Sequence, residues 1–344
     1  MPSNLQDEIQ IQSYASARDD DLGSRKTILV FMITGNPGLI EYYRHFLYIL
    51  NARLNNSSKP RRTVARIYGA SLSGFEVSGP APRDGPLNLH QQIERVTARL
   101  VRAARSTADS DAQDLPIVLV GHSVGSYILL EILHRLQTSQ NGLELNIVGG
   151  ICLFPTIVDI AQSPTGRKLT PLLLLPGFAF AIHTLSKLLF FLLPMSLMIP
   201  LVQLLTRMPR RSAATTAAFL KSPGGVRQAL HMAKYEMLEI AADDRWSDEL
   251  WGARTLESTP AEGGGRTKLY FYWGERDHWV ADETRDLLLG TRGRRGGEGN
   301  EGRPVMEIDG RGIPHGFCVR EGSSAVVAEK VAEWVGEIVE GLGR

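Results

Sequence analysis

The sequence predicts an α/β protein with a mostly parallel, doubly wound sheet. Three observations point to it. Short, continuous apolar runs recur along the chain, as in strands covered on both faces. Helical patterns separate these runs. One run, Leu115–Val120, leads into Gly121-His-Ser-Val-Gly125 and then into a helix-like stretch from Ser126 to His134. Strand, G-x-S-x-G, helix is the setting of a nucleophile elbow, a turn so tight that only small residues fit two positions either side of the serine.

Each element follows from its local pattern. Residues 1–24 are polar and aperiodic and read as an N-terminal segment holding a strand or a loose tail. It has no basic start followed by an apolar stretch, so no secretory signal is expected. Lys26–Ile33 is the first buried strand and ends at Thr34-Gly-Asn-Pro-Gly38. Ile40–Leu50 is apolar at helical spacing, Thr63–Tyr68 is a second strand, and Leu89–Arg105 is an amphipathic helix leading to the elbow strand. Leu145–Phe154 is a further buried strand. From about 160 to 265 the alternation breaks. It returns with a strand at Thr267–Trp273, a helix beginning at Thr284–Leu289, a short strand at Val305–Asp309 and a closing helix at Ala325–Leu342. The Gly- and Arg-rich run at 290–302 reads as a solvated insertion.

Composition narrows the chemistry. The 344 residues carry a net charge of +1, so no overall field draws nucleic acid or another polyanion. Two cysteines, Cys152 and Cys318, make neither a disulfide framework nor a zinc pattern, and they permit a reducing compartment. No metal and no organic cofactor is expected.

A serine nucleophile needs a base for its proton and an acid to orient that base. With an elbow of this kind the chain order is serine, acid, histidine, the last two following late strands. Asp277 follows the strand ending at Trp273, and His315 follows the last short strand, in Ile313-Pro-His-Gly-Phe317. Of eight histidines, His45, His90, His134 and His231 fall in helical stretches and His183 in the apolar insertion. His122 shapes the elbow, and His278 is the rival base. Asp159 is the alternative acid, because it follows the preceding strand; Glu275 and Asp282 rank lower. An oxyanion hole needs two N–H donors. Val124, at the start of the elbow helix, supplies one. Asn36 supplies the other, since Pro37 has no N–H.

The insertion from Leu169 to Leu205 carries one charge, Lys187. Prolines 171, 176, 194 and 200 divide it into short pieces, and the longest, Gly177–Leu193, spans about 25 Å as a helix. Three readings stay open: a cap over the active site, a broken hairpin lying in a lipid monolayer or membrane, and a transmembrane span. Leu172, Phe178, Phe180, Phe190, Phe191 and Leu197 are the expected lipid-facing residues. Arg167 and Lys168 before the stretch, and Arg207, Arg210 and Arg211 after it, suit anionic head groups.

With these residues in view, the chain resembles the lipid droplet-associated hydrolase family, a branch of the α/β-hydrolase superfamily. The matching pieces are Thr34-Gly-Asn-Pro-Gly38 with Tyr42-Tyr43, Gly121-His-Ser-Val-Gly125, Leu153-Phe-Pro-Thr156 with Ser163-Pro-Thr-Gly166, the helix Gln228–Ile240, Tyr272-Trp-Gly274 with Asp277, and Ile313-Pro-His-Gly-Phe317. They run from about 28 to 335. The chain reads as an α/β-hydrolase domain over 25–344 with an apolar cap or membrane-associating insertion at about 160–265, and the resemblance implies Ser123, Asp277 and His315 as its triad. It further implies a lipid ester substrate, with sterol esters proposed, and a place on the cytosolic face of the lipid droplet or endoplasmic reticulum. The chain departs from the family pattern in its loops at 290–302 and near 263.

Overall fold

The computed structural model describes residues 5–12, 26–55, 63–77, 85–108, 114–138, 145–242, 245–252, 267–294 and 302–342. Residues 295–301 of the Gly/Arg-rich loop and the stretch near 263 lie outside them. Among the described residues seven strands form one sheet in the order β1-β3-β2-β4-β5-β6-β7. They are β1 (Glu8–Ile11), β2 (Lys26–Ile33), β3 (Thr63–Ala70), β4 (Ile117–His122), β5 (Ile147–Leu153), β6 (Lys268–Gly274) and β7 (Val305–Asp309). All neighbours pair in parallel except β1, which runs antiparallel to β3 with Ile9 opposite Gly69 and Ile11 opposite Ile67.

Within residues 1–24, read as a polar segment holding a strand or a loose tail, Glu8–Ile11 is a strand and joins the edge of the sheet. Ile9 and Ile11 are buried while Glu8 and Gln10 face out. Four residues of strict alternation are a half-covered edge strand, too short to stand out from a polar flank.

The central strands β2, β4, β5 and β6 are nearly all apolar because helices cover both their faces. Helix α1 (Arg44–Asn55) and the closing helix (Glu321–Gly341) pack together on one side, and α2 (Leu89–Thr107) packs on α3 (Val124–Thr138) on the other. A capping box starts α2: Asn88 Oδ1 accepts from the Gln91 N–H, and Gln91 Oε1 accepts from the Asn88 N–H. Strand order reverses between β2 and β4, so the loops leaving these two strands border one crevice. That is where α/β sheets place their sites.

Between β5 and β6 the described residues form five α-helices: α4 (Pro164–Leu174), α5 (Phe178–Phe190), α6 (Met195–Thr206), α7 (Arg210–Lys221) and α8 (Gly225–Glu239). Ser163 caps α4 by accepting from the Gly166 N–H at 2.9 Å, with Pro164 in the first turn. This gives the Ser-Pro-Thr-Gly piece a local physical meaning. Pro176 and Pro194 do separate helices. Pro171 and Pro200 do not: α4 and α6 run through them. Both prolines are exposed, so the carbonyl each leaves unpaired one turn earlier is not sealed in a core.

Two lysines of this region serve each other's helices. Lys187 on α5 donates to the carbonyls of Leu220, at 3.2 Å, and Ser222, at the end of α7. Lys221 on α7 donates to Phe190, at 3.1 Å, and Leu193, at 2.7 Å, at the end of α5. Cations on the open carbonyl ends of helices are favourable. Lys187 is therefore a helix-end staple within an apolar stretch. Burial, and then the Lys221 charge, push its pKa below the usual lysine value.

Candidate active site

The elbow takes the shape its sequence requires. Ser123 stands at φ +55°, in the left-handed region that non-glycine residues seldom adopt. A Cβ on Gly121 would lie 2.5 Å from the Gly125 carbonyl oxygen, and one on Gly125 would lie 2.4 Å from that of Ile33. The first contact closes the turn, and the second seats α3 against β2. Both glycines are present because backbone passes where a side chain would stand.

Ser123, His315 and Asp277 meet at the carboxyl edge of the sheet. Ser123 Oγ lies 2.9 Å from His315 Nε2, and His315 Nδ1 lies 2.7 Å from Asp277 Oδ2. All three are buried. Asp277 Oδ1 accepts the Trp279 N–H at 2.9 Å. Burial alone would raise the Asp277 pKa. The hydrogen bond and charge of His315 and the Trp279 N–H outweigh it, and the carboxyl sits below its usual value. The carboxylate thus stays ionised beside the imidazole, and a chain of serine, imidazole and carboxylate can pass a proton from the hydroxyl to the ring.

The alternatives are placed elsewhere. Asp159 starts a 3-10 turn with φ +47°, and its N–H donates to the Ala241 carbonyl; the His315 nitrogen it would need is held by Asp277. The chain leaves β5 by way of this turn into the cap, which carries Asp159 off the course of the late strands. His278 is exposed, with its ring centre 6.1 Å from that of His315, and Ser123 Oγ is met by His315 instead.

The expected oxyanion donors are Val124, next to the serine, and Asn36, in the loop whose Gly35 would bring a Cβ within 3.0 Å of Ser123 Cβ. Val124 opens α3, where first-turn N–H groups have no partner within the helix. Asn36 follows Gly35, whose N–H is taken by the Tyr43 hydroxyl at 2.9 Å. Among the described residues neither the Val124 nor the Asn36 N–H has a hydrogen-bond partner. The Asn36 side chain turns to the cap, donating to the Ala229 carbonyl at 3.0 Å and to Glu236 Oε1 at 2.8 Å.

Sequence reasoning missed three groups around this centre. Glu236 on α8 is buried, and burial raises its carboxyl to a pKa of about 7 against the lowering effect of Asn36. Its signal is an acid in a stripe with Gln228, Met232, Ala233 and Met237, all buried. Thr156 brings its hydroxyl to 3.5 Å from Ser123 Oγ, delivered by the sharp turn at Phe154, φ +45°. Tyr43 bonds to His122 Nδ1 at 2.6 Å. No short-range pattern marks the last two, since their partners are 33 and 79 residues away.

The cap is fastened to the same rim. The Tyr42 hydroxyl pairs with Thr216 at 2.8 Å, the Ser212 hydroxyl donates to the Val319 carbonyl at 2.7 Å, and Arg211 lies 3.7 Å from Glu41. A cavity of about 520 Å³ opens beside Asp277 and His278, lined also by Gln162, Arg167, Arg276 and Glu283. Neither Ser123 nor His315 lines it, so it adjoins the acid and not the nucleophile. Among the described residues no group of three or more His, Cys, Asp or Glu is placed to hold a metal ion.

Outward, α4 to α6 expose much apolar surface. Leu172, Phe180, Phe191 and Leu197 face out, and Phe191 and Leu192 are 79% and 85% exposed. Phe178 and Phe190 do not. Each is half-buried, Phe178 against the main core and Phe190 against Met198, Val202, Ala213 and Ala217. At 100° per residue, neighbours along an apolar helix cannot all face one way, and packing on α7 and α8 selects the inner ones. No single described helix is long and apolar enough to cross a membrane; α4 and α5 together have the composition but are bent by 93°.

Sheet order, the elbow after β4 and the cap inserted between β5 and β6 define an α/β-hydrolase fold. Solved structures agree. A haloalkane dehalogenase from Agrobacterium tumefaciens superposes with a TM-score of 0.57 at 15% identity, covering 96% of this chain and 97% of its own. An esterase from Exiguobacterium antarcticum gives 0.51 at 13% identity, covering 96% and 94%. The family model described as lipid-droplet associated hydrolase matches residues 26–318, and the chain belongs to that family. Proteins named lipid droplet-associated hydrolase are similar to it. That of Mus musculus is 28% identical over 327 residues, 91% of this chain and 86% of the relative. That of Gallus gallus is 28% identical over 272 residues, 78% and 76%.

Proposed function

We propose that this chain is a serine ester hydrolase acting on lipid esters, sterol esters among them, at the surface of a lipid droplet or of the endoplasmic reticulum membrane. The observation that carries the reading is the buried hydrogen-bonded chain Ser123–His315–Asp277. Ser123 Oγ attacks the ester carbonyl while His315 Nε2 takes its proton. Asp277 holds the tautomer with hydrogen on Nδ1 and stabilises the imidazolium. The Asn36 and Val124 N–H groups meet the oxyanion. His315 returns the proton to the leaving alcohol, and water then attacks the acyl-enzyme by the same route in reverse.

A fluorophosphonate probe tests the nucleophile. Wild type is expected to be labelled once, and Ser123→Ala not at all, with unchanged circular dichroism. Equal labelling of the two proteins removes Ser123 from the mechanism.

The exposed apolar residues of α4 to α6 support the surface location, and they also favour a second reading. In it the protein organises the lipid surface on a hydrolase scaffold with little turnover. Cells lacking the protein separate the two: rescue of the droplet phenotype by Ser123→Ala as complete as by wild type supports the organiser, and failure of the mutant supports the enzyme.

A further inference from the structure

Three loops must agree for the proposed reaction: the one after β2 that carries Asn36, the elbow after β4, and the one after β7 that carries His315. One buried chain of hydrogen bonds runs through all three. The Gly35 N–H donates to the Tyr43 hydroxyl oxygen at 2.9 Å. Tyr43 Oη lies 2.6 Å from His122 Nδ1, and His122 Nε2 lies 2.9 Å from the main-chain carbonyl oxygen of His315. The directions are fixed by chemistry. A carbonyl only accepts, so His122 Nε2 carries the hydrogen. Nδ1 is then bare and accepts from the Tyr43 O–H, which in turn accepts from Gly35. Each donor points onward from Gly35 to His315, and bonds so aligned polarise one another.

The surroundings hold this arrangement. Tyr43 and His122 are both buried. Phe317 sets its edge or face against His122 at 5.0 Å and against Tyr43 at 6.2 Å between ring centres. Burial favours the neutral ring that the chain of bonds requires, and lowers the His122 pKa to about 3, with the nearby His315 adding to the shift. With both nitrogens engaged by Tyr43 and the His315 carbonyl, the His122 ring has none left for the serine proton.

We propose that His122 is a positioning residue: with Tyr43 it locks the main chain of His315 to the loop of Asn36, setting the base and the oxyanion donor at a fixed distance from Ser123. The inference rests on the hydrolase reading above and deepens it. Tyr43 also settles which donor that loop offers, because it occupies the Gly35 N–H and leaves that of Asn36 to the oxyanion.

The test compares His122→Leu, which fills similar volume and bonds to nothing, with His122→Gln. The glutamine amide presents one donor and one acceptor at nearly the spacing of the two ring nitrogens. Two readouts are used: the rate constant of fluorophosphonate labelling, and the downfield proton resonance of the His315–Asp277 hydrogen bond. His122→Leu is expected to slow labelling about tenfold or more, as small displacements in an active site do, and to broaden or shift the resonance. His122→Gln should recover most of both. Tyr43→Phe, which deletes one hydroxyl, serves if His122→Leu does not fold, and is expected to slow labelling by roughly threefold to tenfold. Wild-type labelling and resonance in a folded His122→Leu or Tyr43→Phe overturn the proposal, as does a folded His122→Gln no better than His122→Leu. Failure of the hydrolase reading looks different: wild type itself is unlabelled, while the resonance still reports whether His122 positions His315.

Discussion

Asp277 and Glu236 are both buried carboxyls near the nucleophile, and their surroundings drive them in opposite directions. Asp277 has an imidazole and a backbone N–H on its two oxygens, and its pKa falls. Asp277→Asn keeps the size and loses the charge, so His315 adopts the wrong tautomer. Ester turnover is expected to drop by about 10³–10⁴, read as kcat on a water-soluble ester. Glu236 has the Asn36 amide as a partner and, among the described residues, no cation on it, and its pKa rises to about 7. A raised carboxyl pKa means that the folded state holds the proton more tightly than the unfolded chain. Its contribution is therefore complete below the unfolded value near 4.5 and declines as pH rises to about 7. Glu236→Gln keeps the acceptor for Asn36 and removes the titration. Urea unfolding should find the mutant more stable than wild type above pH 7, by on the order of 3 kcal/mol, with the gap closing toward pH 4.5. Parallel stability curves for the two proteins across that range would refute the assignment. Asp277 and His315 were legible in the sequence because catalytic order along an α/β chain follows strand order. Glu236 was not, because its meaning comes from Asn36, 200 residues away.

At the scale of elements, β2, β5, β7 and α2 follow directly from apolar runs, turn residues and helical periodicity, within a residue or two of the expected bounds. The strand order does not: β1 and β3 lie beyond β2 through pairings that no local pattern encodes. The helices through Pro171 and Pro200 were equally hidden. A proline's cost depends on whether the carbonyl it frees is sealed from water, and only the tertiary structure decides that. The elbow is the opposite case, since its glycines report contacts between elements. Gly125→Ala would place a methyl group 2.4 Å from the Ile33 oxygen and 2.7 Å from that of Thr34. Both are backbone atoms and cannot swing aside as a side chain would. The substitution should push α3 from β2 and cost about 2–4 kcal/mol in a chemical melt. Labelling of Ser123 should fall with it, because the Val124 N–H rides on the first turn of α3. A melt unchanged to within 0.5 kcal/mol would show that the elbow has room the geometry denies it.

Across the whole molecule, the helices fastened to the rim that holds Ser123 and those that carry the outer apolar face belong to one cap. Tyr42–Thr216, Ser212–Val319 and Asn36–Glu236 pin α7 and α8 to the rim, and the Lys187 and Lys221 staples pin α5 to α7. The cap and lipid-surface readings left open by the sequence are thus compatible: one set of helices packs inward through Phe178, Phe190, Met198 and Val202 and outward presents Leu188, Phe191, Leu192 and Leu204. Composition could not separate them, because both faces are apolar and only packing says which is covered. This division also dictates the experiment. Deleting the insertion would remove buried Leu173 and the lysine staples, and would confound surface binding with unfolding. Replacing Leu188, Phe191, Leu192 and Leu204 by serine alters only exposed positions, each more than 70% open, so the melting temperature should hold. Burying a Leu or Phe side chain fully is worth about 1.5–3 kcal/mol. Even shallow insertion of four should therefore strengthen binding by several kcal/mol, and the tetra-serine protein should bind phospholipid-coated triolein droplets at least about tenfold more weakly in flotation. Turnover of a water-soluble ester should be retained, because none of the four residues touches the rim. Undiminished flotation would move the lipid contact to another face, and loss of soluble-ester turnover in a folded protein would mean that the outer face shapes the active site itself.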